Sequence, residues 1–139
     1  MNALSIYFAA GCFGGLINGL FVWLCGKYGL TGLMGVNLAP DISAPWMYQR
    51  LVWGGLWGFL FFLPVLSDSV VRRGLLAAIF PSLVMLAVVF PMQMGVPAWG
   101  LELGRLTPLF VYIANAVWGV SAALWARLAM DRPRGLRSL

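Results

Sequence analysis

Four long apolar stretches, parted by short segments rich in Gly, Pro and polar side chains, account for most of the chain. The first runs from about Leu4 to Cys25, interrupted only by Ser5 and Asn18, and Lys27, Gly29 and Gly32 end it. Asp41 and Ser43 are helix-capping residue types and Pro45 suits a first turn, so a second helix is predicted from near Ala44 to Leu66. Trp46 and Tyr48 then fall at the membrane interface, where amphipathic rings collect. Ser67-Asp68-Ser69 with Arg72-Arg73 forms a polar turn. A third helix is predicted over Gly74 to Met92, kinked by Pro81, which deletes a backbone bond and crowds the preceding turn, and ended by Pro91. Gly95, Pro97, Gly100 and Gly104 mark Gln93 to Leu106 as loop. The fourth apolar stretch runs from Thr107 to about Met130.

A spanning helix needs about 20 apolar residues, and each stretch has that length. The expected fold is therefore all-α: a polytopic four-transmembrane-helix bundle over residues 1–130, followed by a basic cytoplasmic tail over residues 131–139.

Composition agrees with that pattern. Of 139 residues 62% are hydrophobic and 9% charged, against about 25% charged in soluble domains. Too few polar side chains exist to coat a water-facing surface, which excludes a disordered chain, a nucleic-acid-binding domain and a water-soluble enzyme. Phe8-Ala9-Ala10-Gly11-Cys12 has the outline of a lipoprotein cleavage box. No Lys or Arg precedes it, however, and the apolar run continues to Cys25, so a retained span is expected. Cys12 and Cys25 stand about 20 Å apart along a helix axis and cannot form a disulfide.

The net charge of +5 matters through its placement. With four spans both termini share a side with the polar turn, and that side carries Arg72, Arg73, Arg127, Arg132, Arg134 and Arg137. The other side carries Lys27, Arg50 and Arg105. Positive residues collect in the cytoplasm, so both termini are expected there, in a bacterial inner membrane.

In lipid, helices associate through small residues that let backbones approach. Gly11, Gly15 and Gly19 form such a stripe, as do Gly54 and Gly58, and Asn115, Gly119 and Ala123; they predict packing within the bundle or against a second copy. Val52-Trp53-Gly54 recurs as Val117-Trp118-Gly119, each after a proline-bearing outer loop, which suggests two similar hairpins related by an axis along the membrane normal. The run Phe90-Pro91, Gly95-x-Pro97 and Asn115-x-x-Trp118-Gly119-x-x-x-Ala123 resembles the C-terminal half of the YagU-like small inner-membrane proteins. That resemblance implies a compact four-helix inner-membrane protein. Asn115 stands where the family pattern has histidine, so no role of that side chain carries over.

Polar groups inside a membrane are functional candidates by default, here Asn18, Ser82, Asn115 and Ser121, with Arg50 near a helix end. Asn18 and Asn115 are each predicted about 10 to 12 Å below the outer surface. At equal depth each is the other's nearest suitable partner, as structural glue or as the lining of a small polar site. Asp41 and Glu102 are expected to cap a helix or to pair with Arg50 and Arg105. The chain has no histidine, which removes the commonest general base and metal ligand, and no P-loop, zinc or serine-nucleophile motif occurs. No metal, cofactor, catalytic activity or nucleic-acid partner is expected. The numerous aromatic side chains suit lipid contact or a lipophilic ligand. Two functions fit: a structural or accessory subunit of a larger membrane complex, bound to lipids and to other subunits or its own copy, or a small homodimeric transporter or channel for a neutral, lipophilic or anionic substrate.

Overall fold

Asn2, Ser43 and Ser69 each precede a helix, and each turns its side-chain oxygen onto the backbone amide three residues ahead. The bonds are Ser5 N to Asn2 Oδ1 at 2.9 Å, Trp46 N to Ser43 Oγ at 3.3 Å and Arg72 N to Ser69 Oγ at 3.3 Å. They satisfy amide donors that a helix start leaves orphaned. The computed structural model describes residues 2–131, so all but Asp131 of the expected basic tail lies outside the described residues. Among them every regular element is helical.

Helix α1 covers Ala3–Lys27 and a single turn, α2, covers Leu30–Leu33. Helix α3, Ala44–Trp57, tightens into a 3₁₀ stretch over Gly58–Phe62. The second helix thus stops short of Leu66. Pro64 explains this, because a proline pushes its predecessor out of the helical region, and Leu63 is extended at φ −70°, ψ 123°. Helix α4, Val70–Val84, begins at the Ser69 cap, four residues before Gly74. A π-helical turn over Met85–Val89 and the short α5, Phe90–Gln93, continue it without a break.

Pro81 sits inside α4, and a π turn follows it at Met85–Val89. Pro91 accounts for its place. A proline ring crowds the carbonyl four residues back, here Ala87, and widening the turn around Ala87 relieves the clash. Phe90 N–H accordingly bonds Met85 O, five residues back. Pro91 therefore reshapes the span, which ends at Gln93. A broken 3₁₀ segment, Ala98–Leu103, leads to α6, Thr107–Met130. Three helical stretches are long and apolar enough to cross a membrane: Ala3–Lys27, Val70–Gln93 and Thr107–Met130.

The helices pack in the order α3, α1, α6, α4, with α1 and α6 central. Backbone meets backbone at the glycines. A Cβ on Gly11 would lie 2.9 Å from both the Gly54 carbonyl carbon and Gly55 Cα, and one on Gly15 would overlap the Arg50 carbonyl. A Cβ on Gly19 would press on Met47 Cε, and one on Gly58 would come 3.1 Å from Gly11 Cα. Between α4 and α6 the same holds for Gly74 and Gly119, whose Cβ would come 2.9 Å from the Gly74 carbonyl carbon. Ala123 joins Ile6, Ala10, Phe61, Ala77, Trp118, Ala122 and Ala126 in one core cluster. A second cluster near the other end holds Val22, Cys25, Val36, Phe110 and Ala114.

Each hairpin, α1 with α3 and α4 with α6, thus closes on glycine. Equivalent hairpins related by a two-fold axis would also pack α3 on α4 as α6 packs on α1. They do not: α3 and α4 stand apart, and the gap between them is a cleft. The repeated triplets differ in setting too, since Trp53 is 57% exposed while Trp118 is 3% exposed.

Candidate functional site

Residues 46, 50, 53 and 57 recur at helical spacing and so share one face of α3. That face, Trp46, Arg50, Trp53 and Trp57, forms one wall of the cleft, whose volume is about 750 Å³. Pro81, Val84, Met85, Val88 and Val89 form the opposite wall on α4 and its π turn. The floor comes from Gly15, Asn18 and Val22 of α1 and from Val111, Ala114, Asn115 and Trp118 of α6. One end is covered by residues 37–40, held by Asn37 N–H donating to Leu103 O at 2.7 Å. Near the other end Arg73, in the first turn of α4, donates to the Phe61 carbonyl at the close of the 3₁₀ stretch. Along its length the cleft opens between α3 and α4, where the lining residues Trp53 and Val88 are exposed.

Arg50 stands within this apolar space. Its Nη1 donates to Asn18 Oδ1 at 2.5 Å, and Asn18 Nδ2 in turn donates to the Ala114 carbonyl at 2.7 Å. The amide is therefore fixed with its oxygen toward the cation. The guanidinium also lies 4.2 Å from the centre of the Trp46 ring, a cation–π contact that desolvation strengthens. Arg50 Nε is buried with no hydrogen-bond partner.

No carboxylate among the described residues pairs with Arg50. Asp68 pairs with Arg72 and Asp131 with Arg127, both on the surface, and Asp41 and Glu102 enter no ion pair. Asn18 and Trp46 contact the guanidinium without cancelling its charge.

The two asparagines line the same cleft but do not bond each other. Asn115 Nδ2 donates to Ser82 Oγ at 3.1 Å, and Ser82 Oγ donates to Ala78 O at 2.7 Å. Asn18 has a stronger donor in Arg50 and a nearer acceptor in the α6 backbone, so the expected amide pair is replaced by two separate links, α1 to α3 and α6, and α6 to α4. Ser121 is half-buried on α6, lies outside the cleft lining and makes no side-chain hydrogen bond among the described residues. Trp118 adds a polar link, its Nε1 donating to Gly11 O at 3.1 Å. The residue underrated in the sequence is Arg50. Its signal was the Trp46, Arg50, Trp53, Trp57 stripe, which marks a cationic aromatic face.

No protein-family model, curated protein or solved structure matches this chain. The YagU-like resemblance accordingly rests on the Phe90-to-Ala123 motif alone.

Proposed function

We propose that the chain is a four-span inner-membrane protein that takes a lipophilic ligand from the bilayer into the cleft between α3 and α4, as a small carrier would. The observation that carries this reading is a sizeable apolar cavity, open along its side, with an arginine and two amides inside it. Ligand sites are typically clefts of about 300–1,000 Å³, mostly apolar with a few placed polar groups.

For the fourth span, the 14 residues of α3 and 5 of its 3₁₀ extension reach about 31 Å at 1.5 and 2.0 Å per residue. The hydrocarbon core is about 30 Å thick. With four spans, the arginine asymmetry supports cytoplasmic termini, an orientation in which the covered end of the cleft at residues 37–40 faces outward.

Native mass spectrometry of protein extracted in mild detergent tests the reading. The expected result is a bound amphiphile that is lost in Val88→Trp, a variant that fills the mouth of the cleft without entering the core. Wild-type protein without a bound amphiphile contradicts it.

A second reading, an accessory subunit, draws on the length of the same cleft. From Trp46 to Trp57 it follows three turns, about 16 Å, enough to seat a neighbouring subunit's helix. A photo-crosslinking residue at position 53 would then capture a protein rather than a lipid.

A further inference from the structure

Resting on the reading of the cleft as a ligand site, we infer that its ligand is a single-chain amphiphile with one compact oxyanion head, a carboxylate or a phosphate monoester, held by Arg50. Arg50 lies six residues into α3, about 9 Å along the helix axis from Ala44, and none of the chain's four carboxylates reaches it among the described residues. A guanidinium has five donors in a fixed fork. One is used on Asn18, and the buried Nε–H has no acceptor.

An oxyanion with two or three oxygens supplies the missing counter-charge, because it can accept from the Nη groups, of which only Nη1 is engaged by Asn18, and neutralise the guanidinium. An uncharged head group leaves the charge standing, and a cationic one adds to it. An apolar helix from a neighbouring subunit would cover Arg50 and leave it without a counter-ion, so the charge favours an anionic ligand over a protein partner.

Depth and shape set the remaining limits. An ordinary two-chain phospholipid keeps its phosphate at the interface, whereas Arg50 draws its partner below it, which suits a small head that carries nothing beyond the oxyanion. The hydrocarbon chain then lies between Trp53 and Trp57 on one wall and Val84 and Val88 on the other. Both walls are apolar and reach the open side of the cleft. Asn18, locked by its bond to the Ala114 carbonyl, holds the guanidinium in place and acts as a positioning residue.

The test uses the full chain in an uncharged detergent, with tryptophan fluorescence as the readout because three tryptophans line α3. Four probes share one hydrocarbon chain: hexadecanoate, hexadecyl phosphate, hexadecanol and hexadecyltrimethylammonium. The two anions should bind at least ten-fold more tightly than the alcohol, and the cation most weakly. In Arg50→Gln, which keeps a donor for Asn18, the anions should lose their advantage and fall to within about three-fold of the alcohol.

Tighter hexadecanoate points to a fatty acid and tighter hexadecyl phosphate to a lipid phosphate, and both results support the inference. Anions and alcohol binding equally to the wild type would overturn it and leave the lipophilic cleft standing. Binding of no probe would overturn both. If Arg50→Gln does not fold, the wild-type series alone decides.

Discussion

Replacing Gly11 by alanine tests how the α1–α3 contact is made. The added Cβ would meet the Gly54 carbonyl carbon and Gly55 Cα, both at 2.9 Å, and overlap the Gly54 carbonyl oxygen. All three atoms are backbone, so no side chain can rotate away and the two helices must separate. Overpacking of this kind costs about 1–3 kcal/mol. In a domain of this length that corresponds to roughly 3–15 °C in melting temperature. The assay is thermal unfolding of the extracted protein in mild detergent, with Gly32→Ala as control. Gly32 has nothing within 4 Å of a Cβ, and alanine there should leave the curve in place or raise it slightly. A Gly11→Ala curve that overlays the Gly32→Ala curve would refute close backbone packing at this stripe.

Three further outcomes follow from the same contacts. Because Asn18 bonds Arg50 at 2.5 Å and not Asn115, Asn18→Leu should show a coupling of about 1 kcal/mol with Arg50→Met in a double-mutant cycle and none with Asn115→Leu. Interhelical hydrogen bonds in membranes average about 0.6 kcal/mol and bonds to charged groups exceed the neutral ones. With Cys12 and Cys25 replaced by alanine, a cysteine at Ser67 should be shielded from an impermeant thiol reagent in intact cells and one at Glu102 should react; the opposite pattern refutes the orientation. Pro91→Ala removes the crowding at Ala87, so amide exchange over Met85–Val89 should slow as the π turn rewinds, and unchanged exchange would show that Pro91 does not cause it.

How far the sequence carried the fold differs from element to element. Residues 107–130 were legible because Thr107-Pro108 and a predominantly apolar run mark the helix, and α1 and α3 started near their expected residues because polar caps and Pro45 act locally. The end of α3 was missed although Pro64 marks it, because apolar residues continue on to Leu66 and hydropathy does not register a proline's effect on Leu63. The π turn was illegible as such, since the crowding by Pro91 falls on Ala87, a residue with no unusual chemistry of its own.

At the site, Asn18 and Asn115 line one cleft but do not pair. Their partners depended on what else stood there. Hydropathy placed Arg50 near a helix end, and only packing reveals that α3 turns it inward over Asn18. The gap between α3 and α4 has no local signal at all. It is the absence of a contact, and every glycine stripe in the sequence reports contacts that are made.

The most direct test of the account is an experimental structure of the chain in lipid nanodiscs that resolves the space between α3 and α4. The two helices should stand apart, with elongated density lying between Trp53 and Val88 and ending at the Arg50 guanidinium. Direct packing of α3 on α4, or a polypeptide helix seated against Arg50, would contradict it.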